Sequence, residues 1–216
     1  RARFSSATGN LYSRFSNPTV TKLPNGEWAV LFSSGYNNSD NKGYLFAVNP
    51  QTGALKTGFP MATNTGSAGS PANLGKIGVW VNNPATDNTA QWVYVGGTDG
   101  NLWRFDLDPN AANHSGTAVF KLATLTDSGG TPQAITTKPE LTTNDDGQKL
   151  VFVGTGKYLE STDLTNTQTQ TFYAMKDTMG QPNNGGASQD TWNPATDTML
   201  STPTQKMFLD RKLIDT

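Results

Sequence analysis

The sequence predicts an all-β chain of the β-propeller class. Three observations carry that reading: a strand-turn-strand plan repeated in tandem, a composition of strand and turn formers, and a near absence of helical signals. Of 216 residues, 31 are Thr, 20 Asn, 14 Ser and 22 Gly, whereas only 15% are charged. Thr and aromatics suit a pleated surface, and Gly and Asn suit turns with positive φ. A β-sandwich would use the same composition, but it explains the repeated Pro…Gly…aromatic order less well.

The first unit, 16–60, opens with Ser16-Asn17-Pro18-Thr19-Val20 and turns at Pro24-Asn25-Gly26. It continues through Trp28-Ala29-Val30-Leu31-Phe32, a Gly35 loop and Tyr44-Leu45-Phe46-Ala47-Val48. The second, 69–123, has Gly69-Ser70-Pro71-Ala72, then Trp92-Val93-Tyr94-Val95-Gly96-Gly97, then Asn101-Leu102-Trp103-Arg104-Phe105-Asp106. Within it, Trp92, Tyr94 and Gly96 face one way, and Val93 and Val95 the other. The third, 137–178, has Thr137-Lys138-Pro139-Glu140-Leu141, a turn at Asn144-Asp145-Asp146-Gly147, and strands over Leu150-Val151-Phe152-Val153 and Thr171-Phe172-Tyr173-Ala174-Met175. A short helical turn around Asp163 to Thr167 is the one helical candidate. The tail, 179–216, reads as a long Asn/Gly/Thr/Pro loop with Met207-Phe208-Leu209 a candidate last strand.

Phe46, Trp103 and Tyr173 recur 57 and 70 residues apart, longer than the roughly 40–50 residues of a propeller blade, so the units are expected to carry insertions. A propeller closes with about four to eight blades. Three units and a tail reach four at most, and the chain opens on Arg1. We therefore expect an incomplete portion of a longer propeller.

Composition also excludes several chemistries. The formal charge of −1 argues against nucleic-acid or anionic-membrane binding through bulk electrostatics. With no Cys and one His, there is no disulfide framework, thiolate zinc site, cysteine nucleophile or multi-histidine site. No run approaches the roughly 18 apolar residues of a membrane helix, and no signal peptide is visible. The single histidine, His114, lies in a polar loop and reads as a surface residue. Gly66-Ser67-Ala68-Gly69-Ser70 lacks the spacing of a nucleophile elbow. Gly96-Gly97-Thr98-Asp99-Gly100 lacks the Lys-Ser/Thr of a phosphate loop and reads as an inter-strand turn. Asn144-Asp145-Asp146-Gly147 reads as a hairpin turn. The loop 37–43 reads as a solvated hairpin connection. Trp28, Trp92 and Trp103 are expected to pack between blades, each indole N–H on a backbone acceptor. Asp106 is expected to cap a turn. Trp192 is either an exposed contact residue or a staple for the long loop.

At these residues the sequence resembles the PilC/PilY family of type IV pilus tip-associated adhesins and assembly factors, in its C-terminal propeller. The matching runs are Ser16-Asn17-Pro18, Gly35-Tyr36-Asn37-Asn38 and Tyr94-Val95-Gly96-Gly97-Thr98-Asp99-Gly100-Asn101-Leu102-Trp103-Arg104-Phe105-Asp106-Leu107. The most discriminating is Val153-Gly154-Thr155-Gly156-Lys157-Tyr158-Leu159, followed by Asp163-Leu164, Thr167-Gln168-Thr169-Gln170 and Phe172-Tyr173-Ala174. The Gly-Asn-Leu-Trp-Arg-Phe-Asp stretch is less specific, because quinoprotein-type propellers share it.

The resemblance implies a modified propeller, exported to the pilus tip, outer membrane or cell surface of a Gram-negative bacterium. It implies work in pilus assembly, twitching motility and attachment, with pilins or minor pilins and a host or abiotic surface as partners. Some members carry an EF-hand-like calcium loop before the second unit's central strand. Counting back from Tyr94, its four positions fall on Asn83, Ala85, Asp87 and Gln91. Only Asp87 is a carboxylate, and calcium affinity depends on ligand charge, so these positions read as a degraded loop that binds calcium weakly or not at all, and no cofactor is firmly expected.

Three function classes follow. The leading one is a non-enzymatic, pilus-associated propeller. The alternatives are a quinoprotein-like enzyme using pyrroloquinoline quinone and a structural propeller of another surface protein.

Overall fold

The computed structural model describes residues 17–111, 117–143, 149–177 and 209–211. The described elements are strands and one 3-10 turn, Ser161–Thr165, at the position of the helical candidate. Twelve strands form three successive antiparallel meanders. The first holds β1 (Thr19–Lys22), β2 (Trp28–Ser33), β3 (Tyr44–Val48) and β4 (Met61–Ala62). The second holds β5 (Leu74–Asn83), β6 (Asp87–Gly97), β7 (Asn101–Asp106) and β8 (Val119–Thr124). One parallel pairing, Lys22 with Thr89, joins these two into an eight-stranded sheet. The third meander holds β9 (Glu140–Thr143), β10 (Lys149–Gly154), β11 (Gln170–Asp177) and β12 (Leu209–Arg211). Of the candidate strand Met207-Phe208-Leu209, only Leu209 lies within the described residues. His114, the Asn144–Gly147 turn and Trp192 lie outside them.

Alternation decides how the meanders stack, because a strand buried on both faces needs apolar residues at even and odd positions. In β6, Val93 and Val95 face the first meander. There, with Trp103 and Phe105 of β7, they pack among Leu31, Leu45 and Ala47. Trp92 and Tyr94 face the third meander, where Leu102 joins them against Val151, Val153, Tyr173 and Met175. The second meander is thus the filling between two others, as the alternation of its sequence predicts. On the far side of the first meander Phe32 and Phe46 stack with centroids 5.4 Å apart.

The second and third meanders approach closely at a glycine. A Cβ on Gly78 would run into the Pro139 carbonyl oxygen. The absence of a side chain in β5 is what lets the start of the third unit lie flat on it. Gly78→Ala is expected to push these layers apart and lower stability by about 1–3 kcal/mol, the ordinary range for overpacking. A melting curve of the variant checks this.

Tryptophan placement departs from expectation in two ways. Trp28 is 47% exposed, and Lys22 lies 5.7 Å from its ring centroid. It is the first residue of β2, at the strand's exposed end. Trp103 is buried as expected, but its indole N–H meets no acceptor among the described residues. The aliphatic surroundings that make it a good packing residue supply no oxygen.

Candidate functional site

Three kinds of position invite a functional reading: the degraded calcium positions, the polar groups between meanders, and the loops at one end of the stack. The calcium positions lie on the β5–β6 hairpin. Asn83 ends β5 and pairs with Asp87, which opens β6. Gln91 lies four residues further along the strand, about 13 Å at strand rise, and its carbonyl accepts the Leu107 N–H. The hairpin thus brings Asn83 to Asp87 but carries Gln91 away. The Asp87 carboxylate accepts the Thr89 hydroxyl at 2.7 Å and has Lys22 Nζ at 3.6 Å. The Thr89 hydrogen bond, aided by Lys22, holds it below the usual carboxylate range against the opposing effect of desolvation. Among the described residues, no group of three or more His, Cys, Asp or Glu side chains is placed to hold a metal ion.

Between the second and third meanders lies a polar tie that sequence reasoning missed. Arg104 shares a strand face with Leu102 and is fully buried. It donates to Asp177 at 2.6 Å, and both side chains are shielded from solvent. Tyr94 donates its hydroxyl to the other oxygen of Asp177, also at 2.6 Å. Burial, reinforced by Asp177, pushes the Tyr94 phenol well above its ordinary value, so it remains a donor. Arg104 also lies 4.9 Å from the Phe120 ring centroid. At the edge of this seam Lys149 sits 4.5 Å from the Trp92 ring and 5.1 Å from Trp80. One signal was present in the sequence: Arg104 shares the register of Leu102 in a strand whose other central residues, Leu102, Trp103 and Phe105, are apolar. Its partner, 73 residues later, was not visible. Asp106 plays the capping role expected of it, accepting the Asp108 N–H at 3.1 Å.

The third candidate is the end of the stack where second strands connect to third strands. There the connections 34–43, 98–100 and 155–169 meet the connectors 63–73 and 125–139. A run of backbone bonds crosses all three meanders. Ala72 donates to Asn41 and Thr98 to Ala72; Ile135 donates to Gly97 and Gly156 to Ala134, all within 2.7–3.0 Å. Side chains tighten it. Asn37 N–H donates to Asn73 Oδ1, and buried Asn38 donates to the Lys42 carbonyl. The loop 37–43 is therefore a hairpin connection partly buried against the connector 63–73, not a freely solvated one.

The discriminating Gly-Thr-Gly-Lys-Tyr-Leu run gains a physical explanation here. Asp163 accepts the N–H groups of Leu159 and Glu160 at 2.8 and 3.1 Å and pairs with Lys157 at 3.0 Å. Gln168 reaches back to Asp127 and the carbonyls of Thr131 and Pro132. Buried Gln133 donates to Thr169 and Thr171 and accepts from Tyr173. These side chains fold and fasten a connection. Burial raises the Asp163 carboxyl, but its two backbone donors and Lys157 outweigh this and hold it below the ordinary value. The stabilisation is present above the unfolded carboxylate range and fades as pH falls through the lowered value. Asp163→Asn is expected to melt lower than wild type at neutral pH, the gap narrowing in acid; melting temperature against pH checks it.

At the opposite end an open cleft of about 340 Å³ is lined by Leu23, Pro24, Asn25, Thr57, Phe59, Leu107 and Asp108. It offers one carboxylate and no partner for it in acid–base work. No helix among the described residues is long and apolar enough to cross a membrane.

Comparison with known proteins agrees with this architecture. Residues 5–211 match the family described as the PilY1 beta-propeller domain. The type IV pilus biogenesis factor PilY1 of Pseudomonas aeruginosa strain PAK is 34% identical over 184 residues, covering 76% of this chain and 15% of that protein. A PilY1 homolog of Xylella fastidiosa strain Temecula1 is 29% identical over 176 residues, covering 76% of this chain and 12% of that protein. The crystal structure of the Pseudomonas aeruginosa PilY1 C-terminal domain superposes with a TM-score of 0.64 at 34% identity, over 77% of this chain and 38% of that one. The chain thus spans a small fraction of the length of these relatives. With its stacked four-stranded meanders and its fastened Gly-Thr-Gly-Lys-Tyr-Leu loop, this chain belongs to the PilY1 beta-propeller domain family.

Proposed function

We propose that this chain is a non-enzymatic, pilus-associated propeller segment of a type IV pilus biogenesis factor, exported to the pilus tip, outer membrane or cell surface. It supports pilus assembly and surface attachment, and its partners are pilins or minor pilins and the surface itself. The single observation behind this reading is the use made of the polar side chains in the family motif. Lys157, Asp163 and Gln168 are engaged in holding connections together, and Gln133 of the preceding connector fastens the same segment. A surface braced in this way serves a scaffold that presents loops, where sequence change is tolerated.

The test is genetic. Deleting the gene in its host is expected to reduce sheared surface pilin, twitching and attachment, each restored by the full-length gene. Wild-type levels of all three in the deletion strain would overturn the proposal.

We further propose that Asn83, Asp87 and Gln91 do not form a working calcium site. One carboxylate, held by Thr89 and Lys22, is a poor start for an ion that takes six to eight oxygens. Calorimetric titration of the intact protein with calcium is expected to give the same result for wild type and Asp87→Ala. Tight binding lost in the variant contradicts it.

A further inference from the structure

The cleft at the end opposite the loop face is built from three connections of two meanders. The β1–β2 turn supplies Pro24 and Asn25, the β3–β4 connection Thr57 and Phe59, and the β7–β8 connection Leu107 and Asp108. Main-chain bonds fix all three walls. Gly26 donates to the Leu23 carbonyl at 2.8 Å, Phe59 to Lys56 at 3.2 Å and Leu107 to Gln91 at 3.0 Å. The floor is the edge of the first core, where Leu23 is buried and Phe59 and Leu107 pack against the cluster from outside. A preformed hollow of about 340 Å³ lies at the low end of small-ligand sites, roughly 300–1,000 Å³. It has room for one side chain rather than an extended ligand.

The polar groups around the hollow decide which side chain. Asn25 is spent: its carboxamide oxygen accepts the Glu27 N–H and its nitrogen donates to the Glu27 carboxylate, both at 3.0 Å. Lys56 is spent on Glu27 as well, at 3.2 Å. The amides of Leu23, Phe59, Leu107 and Asp108 all donate within the fold. What remains is the half-buried carboxylate of Asp108 and the exposed hydroxyl of Thr57, neither of which meets a partner among the described residues. A carboxylate drawn partly out of water without a partner is a cost to the fold, and a ligand can offset it. The cleft thus offers an acceptor charge and almost no donor. A sugar ring is poorly matched, because each hydroxyl both donates and accepts. A ligand with its own donors, a positive charge and an apolar stem is matched throughout.

We propose that this cleft receives a lysine side chain of a partner protein. The ammonium pairs with Asp108, a charge-assisted contact, and the four-carbon stem lies against Leu23, Pro24 and Leu107. Phe59 adds an aromatic ring, to whose face a cation is attracted. Arginine is the weaker match, since its fork carries five N–H groups and Asp108 is the one carboxylate lining the cleft. The chemistry of the cleft carries this independently of any role in piliation.

Saturation-transfer NMR of the full-length protein tests it, with Nα-acetyl-lysine N-methylamide as the probe. Transfer to the side-chain methylenes is expected, with affinity in the millimolar range. The norleucine analogue keeps the stem without the ammonium and is expected to bind several-fold more weakly. The lysine probe is expected to lose affinity to the same degree with Asp108→Asn, and to keep it with Asp108→Glu. No transfer from the wild-type protein overturns the proposal, as does equal binding of the norleucine analogue or equal transfer from Asp108→Asn. Tighter binding of the arginine analogue, or of butylamine, which lacks the peptide groups, overturns the choice of a protein lysine. Binding of methyl glucoside that Asp108→Asn abolishes makes the cleft a glycan site and overturns it too. Should Asp108→Asn melt early, the norleucine comparison on the wild-type protein decides.

Discussion

Asp177→Ala is expected to cost the folded protein about 3–5 kcal/mol, the range for breaking a buried ion pair by removing one partner. The carboxylate lost is the one that pairs with Arg104 and accepts the Tyr94 hydroxyl, in a seam from which water is excluded. The penalty arises because the guanidinium stays in its buried position without its closest negative charge. Two further variants separate this cause from a general loss of packing. Tyr94→Phe removes one hydrogen bond and leaves the ion pair, so it is expected to cost about 0.5–1.5 kcal/mol. The triple variant Arg104→Met, Asp177→Leu, Tyr94→Phe replaces both charges with apolar groups and removes the hydroxyl that would otherwise lose its acceptor, and is expected to recover most of the loss. Chemical denaturation of the set checks the order; a triple variant no more stable than Asp177→Ala contradicts the electrostatic account.

Trp103→Ala is expected to cost a similar amount, about 3–5 kcal/mol, for a different reason: it opens a cavity in the core between the first and second meanders. Trp103 is 4% exposed and packs in the cluster that holds Leu31, Leu45, Val95 and Phe105. Trp28→Ala is the control. That ring is half in solvent and its clearest partner is Lys22, so a cost near 0.5–1 kcal/mol is expected, about that of an exposed cation–π contact. Equal melting temperatures for Trp103→Ala and wild type would remove Trp103 from the core.

How much of this was legible in the sequence follows from the range of the interactions. Alternation in 92–97 shows which side chains face which neighbour, because the period of a strand is local. It correctly separated Trp92 and Tyr94 from Val93 and Val95. The Ser161–Thr165 turn was only faintly visible. It depends on the Asp163 cap and Lys157, and contributes no periodic pattern of its own. Trp28 and Trp103 look alike as aromatic residues in strands; only the stacking of meanders distinguishes the exposed one from the enclosed one. The pairing of Arg104 with Asp177 could not be read from the sequence. An arginine in a strand says that a partner is needed, but a partner 73 residues away is chosen by how the meanders stack. Likewise the spacing of Asn83, Asp87 and Gln91 carries no sign of where β6 begins. That boundary sets Asn83 against Asp87 and takes Gln91 out along the strand.

On the function proposed above, this segment contributes to piliation as a folded scaffold, not through chemistry at an individual side chain. Surface pilin, measured by shearing cells that carry full-length variants in place of the wild-type gene, tests it most directly. Piliation is expected to track stability: reduced for Asp177→Ala and Trp103→Ala, and near wild type for Asp87→Ala and Trp28→Ala. Loss of surface pilin in Asp87→Ala with an unchanged melting temperature, or full piliation in a strain whose Asp177→Ala protein is unfolded, would contradict it.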